Sequence, residues 1–392
     1  MEQITPFRIE VPQADLDDLN RRLDHTRWST HCFEGDGGWS RGVPTGYLKE
    51  LADYWRHHYD WRAAEARLNS YPQFTTEIDG GTFHFVHVRS PEPDALPLVI
   101  SHGFPDSFVQ FEQVFGPLTD PRAHGGDPSQ AFHLVIPSIP GYGYSQPTGG
   151  SPWPFPRVAD AYAVLMARLG YDGYITQGAD LGMWISLLQA GRDAEHVIGA
   201  HLSFLFTPPP DDPAAMASLS AEETAVMGKM AYFDRNLSGF HRIQATRPQT
   251  LGAGLVDSPV GQLAWIVEKF YDWTDSAKAP EDAVDRDQML TNVMLYWLTR
   301  SGMPAAHFYF DNADLLPIWP PIAQPPVVSC PLAVAAFPAD PGQAVRRFAE
   351  RLYPDIAQWT EYDRGGHFPA MEVPDLLVGD LRSFAGVVRG RC

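Results

Sequence analysis

The run Gly178-Ala179-Asp180-Leu181-Gly182 sets a single carboxylate between two glycines. A β-favouring stretch, Tyr174-Ile175-Thr176-Gln177, leads into it, and an apolar stretch, Met183 to Leu188, follows. This is the layout of a nucleophile elbow, a sharp strand-to-helix turn that lifts one side chain clear of a sheet. Glycines flank such a turn because helix and strand pack there with little room for Cβ atoms. The usual apex is serine, which attacks acyl carbon. A carboxylate is a weaker nucleophile, suited to an sp³ carbon with a strained or good leaving group, and it leaves an ester on the enzyme that water must cleave. Asp180 therefore predicts opening of an epoxide or a haloalkane and speaks against peptide or ester hydrolysis.

Cleaving that ester requires a general base and donors for an oxyanion. Asp340 and His367 each stand just after a predicted strand, and the histidine follows Gly365-Gly366, a loop able to bring an imidazole over the elbow. The order nucleophile, acid, histidine is that of an α/β-hydrolase triad. His367, oriented by Asp340, is the expected base; Asp363, on the histidine's own strand, is the rival acid. The amides of Leu181, next after the nucleophile, and of Phe104, in His102-Gly103-Phe104-Pro105, are the expected oxyanion donors. Ring opening also needs an acid for the departing alkoxide. A phenol, with a pKa of about 10, lies between neutrality and the alkoxide, and Tyr309 in His307-Phe308-Tyr309-Phe310 is the candidate.

Several elements must position these groups. Residues 1–73 read as a helical, aromatic-rich extension, with apolar residues at helical spacing over Pro12 to Trp28 and Val43 to Leu68. Trp39, Trp55 and Trp61 are expected to pack this segment onto the body. From Phe74 the pattern turns to strands: a hairpin around Asp79-Gly80-Gly81, then Leu96 to Ser101, Phe132 to Ile136, the elbow strand and Val197 to Phe204, with a helix over Val158 to Leu169. Alternating strands and helices imply a mostly parallel sheet with helices on both faces. We read 74–207 as the first part of this core. Pro208-Pro209-Pro210 breaks the pattern, and 208–325 reads as an inserted, aromatic-rich helical cap with prolines 317, 320, 321, 325 and 326 at its exit. The core resumes over 326–392, with strands Leu332 to Phe337 and Ala357 to Tyr362 and helices Ala344 to Leu352 and Leu376 to Val388.

Composition narrows the partners. The 392 residues carry 29 basic against 48 acidic side chains, a net charge of −19, which disfavours nucleic acid and anionic membranes. Cys32, Cys330 and Cys392 lack metal-ligand spacing and point to a reducing, cytoplasmic setting. Neither a signal peptide nor a membrane span is expected. No metal or cofactor is called for, and a homo-oligomer stays open.

Together these residues resemble the epoxide hydrolases that carry an N-terminal extension, the group related to the microsomal and juvenile-hormone enzymes. The resemblance rests on Pro6-Phe7-Arg8-Ile9-Glu10-Val11-Pro12, Thr26-Arg27-Trp28, His102-Gly103-Phe104-Pro105, Pro140-Gly141-Tyr142-Gly143, Gly178-Ala179-Asp180, Ile243-Gln244-Ala245-Thr246-Arg247-Pro248, Tyr296-Trp297-Leu298-Thr299 and Arg364-Gly365-Gly366-His367-Phe368. It implies an α/β-hydrolase fold with a helical cap, hydration of epoxides to vicinal diols, and the same roles for Asp180, His367, Asp340 and Tyr309. The chain departs from that family in three ways. Phe240 stands where a second cap tyrosine is usual, with His241 beside it as a substitute that helical spacing turns away from the site. Leu181 replaces a frequent tryptophan, and no anchor like that of the microsomal relatives is expected. The expected substrate is a bulky, apolar or aromatic epoxide contacted by Phe240, His241 and Trp184, in natural-product biosynthesis or detoxification. Haloalkane dehalogenation, with Trp184 as halide donor, and a silent small-molecule-binding fold are the alternatives.

Overall fold

The computed structural model describes residues 3–29, 38–147, 150–207, 209–210, 212–316 and 325–391. Cys32, Cys392, Pro208, Pro317, Pro320 and Pro321 lie outside the described residues. Among the described residues ten strands form one sheet: β1 (Thr5–Phe7), β2 (Gln73–Ile78), β3 (Gly81–Val88), β4 (Leu96–Ser101), β5 (Phe132–Pro137), β6 (Gln146–Pro147), β7 (Tyr174–Gly178), β8 (Val197–Leu202), β9 (Leu332–Ala336) and β10 (Ile356–Glu361). Their order is β1-β2-β3-β5-β4-β7-β8-β9-β10, with β6 on β3. The β1 to β5 side pairs antiparallel, and β5-β4-β7-β8-β9-β10 run parallel. All six residues of β5 and all five of β7 are buried, as strands covered on both faces must be.

Helices Phe155–Arg168 and Leu181–Arg192 pack together and onto β2, β4, β7 and β8. Helices Glu112–Thr119 and Pro374–Arg389 pack together and onto β5, β8, β9 and β10. Between β8 and β9, helices at Pro213–Ala217, Ala221–Tyr232, Gly239–Thr246, Pro248–Asp257, Pro259–Asp272, Arg286–Thr299 and Gly302–Asp311 lie over the carboxyl ends of the parallel strands. Among the described residues no helix is long and apolar enough to cross a membrane.

The N-terminal segment differs from its helical reading. It starts with β1, because Thr5, Pro6 and Phe7 find partners in Thr75, Phe74 and Gln73. The run from Val43 to Leu68 is two helices, Thr45–His57 and Trp61–Leu68; Asp60 stops the first continuing by capping the second through the Ala63 amide. Helix Glu112–Thr119 follows the Phe104 loop unpredicted; Gly116 and Pro117 hide it from a propensity reading.

These N-terminal helices brace the cap. The Trp55 indole N–H points at Met294 Sδ at 3.2 Å, Tyr54 donates to Asp287 and Tyr59 meets Thr291, all on helix Arg286–Thr299. Tyr47 and Trp39 reach Glu281 and the Lys278 carbonyl just before it. Trp55 is only 3% exposed. Trp55→Ala should therefore lower unfolding free energy by about 3–5 kcal/mol, read as a shifted urea midpoint. A loss below about 1 kcal/mol would show that Trp55 does not hold the cap.

Candidate active site

Chain geometry at the elbow is set by contacts that exclude side chains. Asp180 follows β7 and precedes helix Leu181–Arg192, with φ at +52°. A non-glycine residue there is strained and persists only where its surroundings over-determine it. The surroundings do so: a Cβ on Gly178 would collide with the Gly182 carbonyl and Ser186 Oγ, and a Cβ on Gly182 would collide with the Ser101 carbonyl at the end of β4. Helix, elbow and neighbouring strand thus meet backbone to backbone.

The loop after β4 presents its amides to the elbow. The Phe104 N–H donates to Asp180 Oδ1 at 2.9 Å, and a Cβ on Gly103 would strike that carboxylate. Leu181 opens the elbow helix, so its amide has no helical carbonyl four residues back. Side chains outside the expected set fix this loop. Asp106 Oδ1 accepts the Gly103 N–H at 2.7 Å. Burial, reinforced by the Asp180 charge, raises the Asp106 pKa to about 7. The Ile139 amide donates to His102 Nε2, so the His102 proton sits on Nδ1, facing the Gly103 carbonyl at 3.0 Å. From the cap, Asn292 donates to the Pro105 carbonyl at 2.6 Å and Tyr296 to the Asp106 carbonyl at 2.9 Å. Asp106 and Tyr296 sit in or beside stretches already singled out; Asn292 carried no local signal.

His367 reaches the elbow from the loop after β10. Its Nδ1 lies 3.0 Å from Asp340 Oδ2, and its Nε2 lies 3.4 Å from Asp180 Oδ2. Asp340, after β9, is itself held by the Gly342 amide at 2.7 Å. Asp363 takes no part in these contacts. Burial opposes charge on His367, but Asp340 and Asp180 outweigh it and raise its pKa well above the ordinary imidazole value. Phe204 and Trp273 pack edge-on against its ring at 5.3 and 5.0 Å.

A cavity of about 710 Å³ opens above these groups, lined by Asp180, Leu181, Trp184, Phe240, His241, Tyr309 and His367 among others. Tyr309, on helix Gly302–Asp311, is fully buried, and burial and the Asp180 charge raise its pKa well above 10, so its phenol stays protonated. Phe240 packs on Phe104 and Tyr309 and carries the buried Lys269 ammonium 4.7 Å from its ring centre. The expectation that His241 points elsewhere fails. Residues 238 to 242 all line the cavity, because helix Gly239–Thr246 meets it with its first turn rather than with one face. The His241 ring stands edge-on to Tyr309 at 5.4 Å. Burial drops its pKa to about 4, against the opposing pull of Asp180 and of a hydrogen bond to the Leu316 backbone. Trp184 both lines the cavity and packs on Phe155.

The sheet order and the elbow's place in it define an α/β-hydrolase, and residues 97–247 match the family described as alpha/beta hydrolase fold. Residues 4–111 match the family described as epoxide hydrolase N terminus. A putative epoxide hydrolase of Stigmatella aurantiaca is 42% identical over 97% of this chain and 84% of its own length. Epoxide hydrolase 1 of Oryctolagus cuniculus is 32% identical over 99% and 90%. The solved structure of Aspergillus niger epoxide hydrolase superposes with a TM-score of 0.86 at 32% identity, covering 98% of this chain and 97% of that one. The chain belongs to the epoxide hydrolase family, which favours epoxides over haloalkanes as its substrates.

The elbow's tolerance is directly testable. Gly182→Ala should destabilise by at least about 3 kcal/mol and abolish turnover, since the backbone it meets cannot withdraw. A denaturant melt and an assay of the soluble fraction read both; a stable, active variant would contradict the packing described.

Proposed function

We propose that this epoxide hydrolase works through a covalent ester on Asp180. One observation carries the reading: the His367 imidazole stands beside the Asp180 carboxylate itself, 3.4 Å from Oδ2. A base that activates water to attack the ester carbonyl belongs there. One oxygen of Asp180 attacks an epoxide carbon, the C–O bond breaks, and the alkoxide takes the Tyr309 proton. His367 then removes a proton from water, the hydroxide adds to the Asp180 carbonyl, and the oxyanion rests on the Phe104 and Leu181 amides. Collapse releases the diol and restores the carboxylate, beside which His367 keeps the proton it took from water.

Electrostatics support this order. In the free enzyme the Asp180 charge helps to hold His367 protonated. Esterification removes that charge, so the imidazole pKa falls, His367 gives up its proton through solvent to the Tyr309 phenolate, and it becomes a base at the step that needs one. His241, neutral near pH 7, offers one donor and one acceptor beside Tyr309, and we assign it as the second polar contact of the substrate in place of a hydroxyl at Phe240. The aromatic and methionine lining, with Asp234 and Arg242 paired at the rim, suits a bulky apolar or aromatic epoxide. The buried Cys330 thiol and the acidic charge of −19 support a cytoplasmic setting.

Two variants separate the steps. With styrene oxide, His367→Gln should still open the ring and accumulate a protein adduct of substrate mass. Tyr309→Phe should slow adduct formation roughly 10²- to 10⁴-fold. Intact-protein mass spectrometry reads both; a His367→Gln enzyme that turns over without adduct would overturn the scheme.

The two steps should also differ in pH dependence. Ester hydrolysis needs neutral His367, so its rate should fall as pH drops through the His367 pKa of the ester form. Ring opening uses a carboxylate and a phenol and should not share that limb. Single-turnover rates across pH 5 to 9 distinguish the two, and a common limb would count against His367 as the base of the second step alone.

A further inference from the structure

Glu372 is the last residue of the short helix Pro369–Glu372, after the histidine loop, and takes no part in the scheme above. Its carboxylate is bidentate to two backbone amides from different parts of the molecule. Oε1 accepts the Phe368 N–H at 2.9 Å, and Oε2 accepts the Asp275 N–H at 2.8 Å. Phe368 is the neighbour of the base. Asp275 follows the cap helix Pro259–Asp272 and is two residues beyond Trp273, whose ring packs on His367.

The same junction is closed by three further contacts. The His367 N–H donates to the Trp273 carbonyl at 2.8 Å, and the Gly365 N–H to Asp275 Oδ2 at 3.2 Å. A Cβ on Gly366 would stand 2.5 Å from the Trp273 carbonyl and 2.9 Å from Thr274 Cα, so only glycine lets the two segments approach. The loop that aims His367 is therefore sewn to residues 273–275 of the cap, and Glu372 is the side chain that bridges both edges of the seam.

We propose that Glu372 is a positioning residue for the hydrolytic step: by tying the Phe368 amide to the Asp275 amide it fixes the direction in which His367 presents Nε2 to the water beside Asp180. The assignment rests on His367 being the base. Attack by Asp180 on the epoxide does not use that imidazole, so a loosened loop slows the second step and spares the first. A carboxylate that accepts two amide hydrogens is best served ionised. Burial works against this and raises the Glu372 pKa to about 7, with the two amides and His367 pulling it back.

The test compares Glu372→Ala, which removes both acceptors, with Glu372→Gln, which keeps one, in single turnovers of styrene oxide followed by intact-protein mass spectrometry. In Glu372→Ala the adduct should form within about 3-fold of the wild-type rate and decay roughly 10- to 100-fold more slowly, so that it accumulates. Glu372→Gln, the milder change should the alanine variant fold poorly, should lie between. Equal loss in both steps, tracking a lowered melting temperature, would make Glu372 merely structural and overturn the proposal; so would unchanged decay. His367→Gln in parallel keeps the two readings apart. If it traps the adduct and the Glu372 variants do not, the positioning role alone fails. If it traps none, the covalent reading fails and the proposal falls with it.

Discussion

Asp180 sits at φ +52°, in a backbone region that costs a non-glycine residue roughly 1–3 kcal/mol. The rest of the site exists because that conformation is held. It projects the carboxylate out of the sheet, away from β7, and exposes it to the amide of Phe104 on one side and the imidazole of His367 on the other. It is held by the absence of side chains at Gly178 and Gly182, which lets the elbow helix lie directly on the end of β4. The loop that follows β4 carries the Phe104 amide that donates to Asp180, so the packing that fixes this carboxylate also fixes its donor. A shift at either glycine would displace both.

Charge is the second organising term. Two buried carboxylates and a buried imidazole, Asp106, Asp340 and His367, lie together with the part-buried Asp180. Burial alone would push such acids toward neutrality and the imidazole toward the free base. His367 instead keeps its charge because Asp340 and Asp180 flank it, whereas Asp106, with no cation in contact, drifts up to about 7. An ester on Asp180, as proposed, would remove one of the two charges that flank His367 and lower the imidazole pKa. The cap adds the phenol of Tyr309, kept protonated by the same burial, and grips the loop after β4 through Asn292 and Tyr296. The N-terminal helices in turn grip that cap helix through Trp55, Tyr54 and Tyr59.

What the sequence revealed follows the range of the interactions. Asp180, Phe104, Asp340 and His367 could be read because each lies in a short stretch at the end of a strand, where glycines or prolines mark a tight turn. Their meeting is a property of parallel strands ending at one edge, so strand order suffices to bring them together. β1 escaped because three residues carry no usable periodicity and gain their structure from β2 alone. His241 was misjudged because spacing along a helix says nothing of whether the helix meets a cavity by its flank or by its first turn. Asn292 and Glu372 bind backbone amides or carbonyls far away in sequence, and their residue types are equally at home on a surface.

The central claim is that the oxygen delivered to the diol comes first from Asp180 and only then from water. A single turnover of styrene oxide by the wild-type enzyme in heavy-oxygen water, followed by mass spectrometry of the peptide that holds Asp180, tests it most directly. Label is expected in the Asp180 carboxylate and none in the diol of that first turnover. Label in the diol with an unlabelled Asp180 would mean that water attacks the epoxide directly, and would contradict it.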